Sequence, residues 1–488
     1  MRKLLCVVIA VLVSVSLVSA QDETTDFRYR GLESLFNLDN YYDFNSSGFG
    51  AKSRGMGGVH FAFYNEGFSS FLNPATMIYT NKSLMSLDVL NSEDKFNDYY
   101  SSGQYDSTTG MPIRNYEDVD GKHTRIIQAG AIAPFSYFDM DWWFGGGYRT
   151  VYDIHYKMSM PVSYPIDERD FERKIEQTRS IDAVNMALAA NPHPNIALGV
   201  NFNMYVRGYR GNFWSPYEVT IDDADTIWIF HDKDKSTFSG SNFDFGAVVD
   251  FDQLKIGLSM STPFTLKQSV VYSSLRYDNV YGYDNNEFGT INRINAKNKF
   301  PATFGGGISY MPMENVTLAA DIEYKPYSKI TIDIDPEVLM FENIYDHDPE
   351  WEDLTQFRVG AEYVLDAGFA QVPLRAGMQN LPGLKKYLKS LTTYRPDYAD
   401  SIFEADSVSL EDEAVYGDQI NTYLFSVGGG LKFEKIWFDI AYQFGSSEYA
   451  GYRTRTWIQS SDISDHVVLT DPLKLEYSRL YFSIGMLF

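Results

Sequence analysis

From about residue 82 onward, apolar side chains return at every second position over stretches of roughly ten residues, the period of a strand with two unlike faces. The last ten residues set Leu480, Phe482, Ile484, Met486 and Phe488 on one face and Arg479, Tyr481, Ser483 and Gly485 on the other. Residues 436–445 repeat the pattern, with Ile436, Phe438, Ile440, Tyr442 and Phe444 against Trp437, Asp439, Ala441, Gln443 and Gly445. Residues 196–206, 316–324 and 423–433 alternate in the same way.

Such strands exceed the five or six residues usual in a soluble sandwich and match the roughly 9–11 that a tilted strand needs to cross a bilayer. The second face carries Gly, Ser, Asn and isolated charges, as a barrel lumen would. Strands in lipid must pair every backbone group, so they must close on themselves. The pattern predicts strands near 82–90, 125–134, 143–152, 180–190, 195–207, 242–251, 253–262, 301–311, 316–325, 355–364, 371–379, 422–432, 436–445 and 479–488. That is an all-β fold, a transmembrane antiparallel barrel of about 14 strands. The intervening segments alternate long (91–124, 153–179, 208–241, 263–300, 326–354, 380–421, 446–478) and short, the asymmetry of outer-membrane barrels with external loops and tight periplasmic turns.

Ahead of this pattern, Met1-Arg2-Lys3 and the apolar run Leu4–Val18 end in the small residues Val18-Ser19-Ala20, which predicts a cleaved signal peptide over 1–20. The expected location is therefore the bacterial outer membrane. The chain's single cysteine, Cys6, falls in the part removed, so neither a disulfide nor a thiolate metal site is expected.

Composition narrows the function. The formal net charge of −24 would repel phosphate and speaks against nucleic acid. The motifs of serine hydrolases, zinc peptidases, P-loop enzymes and dinucleotide-binding enzymes are all missing, so no catalytic residue and no cofactor is expected. The seven histidines are scattered; His347, between Asp346 and Asp348, reads as a solvated turn rather than a metal ligand. The acidic runs at 222–225 and 411–413 read as a solvated exterior.

Two groups are candidates for contact with a ligand. Phe213, Trp214, Trp228 and Phe230 punctuate the third long connection and either rim a ligand-access groove or hold the loop onto the barrel. Inward positions carry Asp250, Lys255, Asp321, Glu323, Arg358, Glu362, Arg375, Lys432, Asp439 and Arg479. These either form a charge-balanced brace or receive a ligand carboxylate, for which Arg358 and Arg375 on neighbouring strands are first in line.

Residues 21–81 precede the barrel (82–488) and do not alternate. They contain a glycine-rich run, Ser46 to Gly58, and then Phe71-Leu72-Asn73-Pro74-Ala75-Thr76-Met77, where Asn73-Pro74 reads as a helix N-cap followed by proline. A fourteen-strand barrel is too wide for its own side chains to fill, and a compact segment of this kind suits a plug.

"SSGFGAKSRGMGG" (46–58) followed by "FLNPATM" (71–77) resembles the N-terminal hatch of the FadL/TodX family of outer-membrane transporters for long-chain fatty acids and other hydrophobic compounds. "FPATFGGGISYMPMENVTLAADIEYKPYSKI" (300–330), "FRVGAEYVL" (357–365) and "VPLRAGMQ" (372–379) are similar to that family's later strands. The resemblance implies passive uptake of a hydrophobic small molecule through a lumenal pocket, with lateral release into outer-membrane lipid near a kinked third strand. It assigns Gly55, Gly57, Gly58, Asn73, Pro74 and Ala75 to the hatch, and Gly145, Gly146 and Gly147 to the lateral-opening strand. The outer connections lack long amphipathic apolar segments, a departure from the fatty-acid members. Two other readings stand beside it: a PorV-like barrel with an exported-protein partner, and an open general porin.

Overall fold

The computed structural model describes residues 50–64, 69–105, 112–120, 122–164, 169–206, 208–221, 224–277, 287–288, 292–334, 351–394, 411–451, 466–468 and 471–488. The signal-peptide reading of 1–20, residues 21–49 of the hatch, Asp222-Asp223 and the Asp346-His347-Asp348 turn lie outside them.

Fourteen strands form the wall of a closed antiparallel barrel. They are β1 (Leu84–Ser92), β2 (His123–Tyr137), β3 (Met140–Tyr164), β4 (Arg169–His193), β5 (Ile196–Val206), β6 (Ala224–Phe251) and β7 (Leu254–Ser261). The second half is β8 (Thr303–Met313), β9 (Val316–Lys325), β10 (Leu354–Asp366), β11 (Gln371–Tyr394), β12 (Glu411–Lys432), β13 (Ile436–Gly451) and β14 (Asp471–Leu487). Each pairs with its neighbour in order, and β14 returns to β1 in a register running from Leu84↔Leu487 to Ser92↔Arg479. Closure leaves no edge, which is what lipid requires of a spanning sheet.

The period-two pattern decides the faces. Phe425, Val427, Phe438, Ile440, Phe444, Ile484 and Met486 all point outward and are exposed, while Ser426, Asp439, Gln443 and Ser483 are buried within. An apolar outside around a polar inside is the arrangement of a barrel that sits in a bilayer. Aromatic side chains mark the rim of the short turns: Phe138 is 82% exposed and Phe369 74%. Such rings favour the membrane–water interface.

The predicted long loops differ from the structure. Segments 91–124 and 263–300 contain hairpins (Lys95–Tyr105 with Pro112–Asp120; Phe264–Tyr277 with Asn292–Phe300), and much of 153–179, 208–241, 380–421 and 446–478 is strand continuing beyond the wall. Above the bilayer both faces of a strand meet water, so the alternation that betrays a strand is lost while the backbone ladder persists. Phe213, Trp214, Trp228 and Phe230 accordingly lie in a paired ribbon, with Trp214 opposite His231 and Tyr217 opposite Trp228, and not in a loop.

Candidate functional site in the barrel lumen

Residues 50–64 and 69–80 lie against the inner face of the wall. This segment begins as a short helix, Gly50–Gly55, and turns at Gly57 and Gly58, whose φ values of 72° and 86° favour glycine. It continues through Ser69–Leu72 into a 3₁₀ turn, Pro74–Tyr79. Asn73 caps that turn: its Oδ1 accepts from the Ala75 N–H at 3.1 Å. Its Nδ2 meanwhile donates to the carbonyls of Phe61 (2.7 Å) and of Leu258 on β7 (3.3 Å). One side chain thus joins both halves of the segment to the wall.

The close approach depends on bare backbone. A side-chain carbon on Gly57 would sit 2.6 Å from the Met378 nitrogen, and one on Gly199 would sit 2.6 Å from the Ala75 nitrogen. Gly55 lies against Gly428, and Gly246, Gly257, Gly360 and Gly377 likewise face segment atoms on β6, β7, β10 and β11. Pro74 and Ala75 rest on Gly199 of β5.

Wall side chains hold the segment by its backbone N–H groups. Asp321 Oδ2 accepts from His60 (2.6 Å) and Phe61 (3.1 Å); Ser426 accepts from Gly57 (3.0 Å) and Ser483 from Ala51 (2.8 Å). Cations stack on rings in both directions: Arg54 over Tyr481 at 4.8 Å, Arg149 over Phe71 at 5.0 Å and Lys255 over Tyr79 at 3.7 Å. Met77 joins Leu84, Ile132, Trp143 and Trp437 in a buried cluster near the short-turn end. His60 is buried, and desolvation, reinforced by the nearby Arg358 charge, pushes its imidazole pKa down to about 3, so it sits there neutral.

The lumen charges fall into separate groups. Arg375 donates to Glu362 at 2.6 Å and to Asp439 at 2.5 Å, so its fork is occupied on both sides. Arg358 Nη2 pairs with Glu323 and also reaches Gln356, while its Nε and Nη1 have no hydrogen-bond partner among the described residues. Arg479 clasps Asp94. The structure therefore places Arg358 and Arg375 on adjacent strands but in different ion pairs. Lys432 departs from its expected position: it is exposed at the short-turn end of β12, where strand and lumen both finish.

Two layers next to the segment carry no sequence motif. The first is a polar ladder in which the Asp244 carboxylate accepts from Asn201, Asn203, Asn242 and Ser261, and Asn185 donates to Asn201. Alternation on β5 showed its asparagines facing inward, but not that three strands would bring polar groups to one carboxylate. The second lies on the side of the long connections. There, an aromatic arc runs Tyr205–Phe264–Phe300–Tyr327–Trp351 with centroid steps of 5.0, 4.8, 5.9 and 6.3 Å. Val151, Ile181, Phe238, Leu266, Leu354 and Leu384 are buried in the same cluster. Four of the arc's five rings come from segments whose polarity reads as loop or loop margin.

Gly145–Gly147 are paired on both sides, to Ile132–Gly130 and to Ala187–Asn185. The irregularity in β3 comes a few residues later, at a register shift between Thr150 and Tyr152. The ladder between β2 and β3 ends at Gln128↔Arg149.

A closed fourteen-strand barrel with an apolar outside and an N-terminal segment seated in its lumen defines a transmembrane β-barrel architecture. No family profile and no curated protein sequence matches the chain. Among solved structures, a Pseudomonas aeruginosa FadL homologue aligns over 92% of this chain and 99% of its own, with a TM-score of 0.55 and 14% identity. The toluene transporter TodX of P. putida aligns over 91% and 99% (TM-score 0.52, 13% identity), and the monoaromatic hydrocarbon channel CymD over 91% and 99% (0.51, 12%). This chain shares the fold of these proteins across almost its whole length.

Proposed function

We propose that this protein is a passive outer-membrane channel for hydrophobic compounds such as long-chain fatty acids. The observation that carries the reading is the buried aromatic and aliphatic cluster that lies between the seated segment and the long connections. An apolar molecule arriving from outside would exchange water for ring faces there, a gain of about 25 cal/mol per Å² of apolar surface buried. The segment 50–80 acts as the plug beneath that lining, and its displacement opens the way onward. The structural likeness to hydrocarbon and FadL-type channels supports this reading at the level of fold.

For the carboxylate of a fatty acid, Arg358 is the better placed of the two arginines, because two of its nitrogens have no hydrogen-bond partner among the described residues whereas Arg375 is shared between Glu362 and Asp439. Release into the bilayer next to the third strand is supported by the bulge at Thr150–Tyr152 and the ladder's end at Arg149. The test is saturable uptake of labelled oleate by cells lacking their own transporter, with surface level measured in parallel. Uptake that disappears when residues 46–77 are altered is the expected result. A folded, surface-exposed barrel that takes up neither oleate nor toluene would overturn the proposal. Full uptake by a folded Gly146→Val protein would count against the third-strand route.

A further inference from the structure

The wall has a second place where backbone does not close it. Between β10 and β11 the ladder runs from Asp366↔Gln371 to Arg358↔Gln379 and stops. Beyond that point Asn380 stands in for a strand: its Oδ1 accepts from the Phe357 N–H at 2.6 Å and its Nδ2 donates to the Thr355 carbonyl at 3.1 Å. Gln419 reaches across from β12 and donates to the carbonyls of Asp353 (3.2 Å) and Gly383 (2.9 Å). One backbone bond, from Glu352 N–H to the Leu384 carbonyl at 2.7 Å, resumes the closure above. On β11 and β12 the pairing is itself irregular from Pro382 onward. The outer face of this seam is a cleft of about 350 Å³ lined by Thr355, Phe357, Met378, Asn380, Gln419 and Tyr423.

What lies behind the seam gives it meaning. Leu354 and Leu384, on its two strands, are buried in the lumen cluster, and Trp351 ends the aromatic arc that begins at Tyr205. On the bilayer side Phe357, Met378 and Tyr423 are exposed. Apolar surface therefore continues from the lumen to the outside, interrupted by two amide side chains. A backbone ladder in lipid cannot part without leaving several polar groups unpaired, each at a cost of several kcal/mol. A side-chain latch parts by rotation of two amides, and exposes the Phe357 N–H and the carbonyls of Thr355, Asp353 and Gly383.

We infer that the β10–β11 seam is a side port, latched by Asn380 and Gln419, through which apolar compounds pass between the bilayer and the aromatic arc. The inference rests on the proposed channel function and adds a route remote from the third strand. Arg358 lines the cleft together with Asp353 and the neutral amides of the latch, so the port is tested with an uncharged hydrocarbon and with a fatty acid.

The chain's one cysteine, Cys6, precedes every described residue, so introduced pairs are readable. Phe357→Cys with Asn380→Cys places two thiols across the seam, and Leu318→Cys with Ala361→Cys links the paired strands β9 and β10 as a control. Toluene and oleate uptake are measured in cells, oxidised and then reduced, with heat-modifiable migration reporting folding. The expected result is at least a fivefold loss of toluene uptake on oxidation of the seam pair, restored by reduction, and no change in the control. Asn380→Leu, which removes the latch without a link, should raise the initial toluene rate about threefold. Toluene uptake that is indifferent both to oxidation and to Asn380→Leu, in a barrel whose unmodified form transports, overturns the port alone. Absence of uptake of either compound by the unmodified protein overturns the channel reading and the port with it.

Discussion

Asp321 is the wall residue on which the seating of the N-terminal segment turns. One of its oxygens receives the N–H groups of both His60 and Phe61, at 2.6 and 3.1 Å. Hydrogen bonds to a charged acceptor contribute about 1.5–3 kcal/mol each, so Asp321→Ala should weaken seating by about 3–6 kcal/mol. At about 1.4 kcal/mol per decade, the ratio of seated to released segment falls by roughly 10²–10⁴. Asp321→Asn keeps the shape and one acceptor oxygen but loses the charge, and should cost about half as much. Ser53→Cys supplies the reporter, since Ser53 is fully buried in the seated segment. In that background, maleimide labelling should accelerate strongly with Asp321→Ala and to an intermediate degree with Asp321→Asn. Single-channel recordings should show openings the parent lacks. A folded Asp321→Ala barrel with unchanged labelling and unchanged conductance would refute the reasoning.

Gly199→Val would drive a side chain into Pro74 and Ala75; overpacking of this kind costs about 1–3 kcal/mol, visible as a lower temperature for the heat-modifiable shift. Because the seated His60 stays neutral to about pH 3 whereas a released one protonates near its usual 6.5, acid favours release. The His60 contribution is intact above pH 6.5 and declines by about 1.4 kcal/mol per unit as pH falls from there toward 3. The difference in opening frequency between this protein and its His60→Asn variant should therefore grow as pH falls from 6 to 4. Arg375→Met leaves Glu362 and Asp439 buried without their partner and should cost about 3–5 kcal/mol of stability. If Arg375 is a brace, the ratio of oleate to methyl oleate uptake in the folded fraction stays unchanged; a selective loss of oleate would make it a ligand contact.

The wall was legible in the sequence because a spanning strand writes its two environments into alternate residues. Phe438 against Asp439 and Ile484 against Ser483 each identify a face, and all fourteen wall strands lie where alternation put them. The N-cap at Asn73 was legible for a local reason, since cap and proline are adjacent in the chain. Strand extensions such as Arg169–Arg179 were not, because water on both faces erases the period. The aromatic arc and the Asp244 ladder were hidden for a different reason. Tyr205 and Trp351 share one cluster only through the rings that successive strands place between them, and nothing local in either segment marks the other. Arg358 and Arg375 could be placed on one face by parity, but their partners depend on which strands flank them.

The glycines that face the seated segment also bear on how the barrel is assembled. They stand on β5, β6, β7, β8, β10, β11 and β12, each where the segment passes. A slip of one residue in β5, β7 or β10 would turn its glycine to the bilayer and swing a side chain into the segment's path. A seated segment and a misaligned stave therefore exclude one another: the barrel has room for the segment only in the register it has.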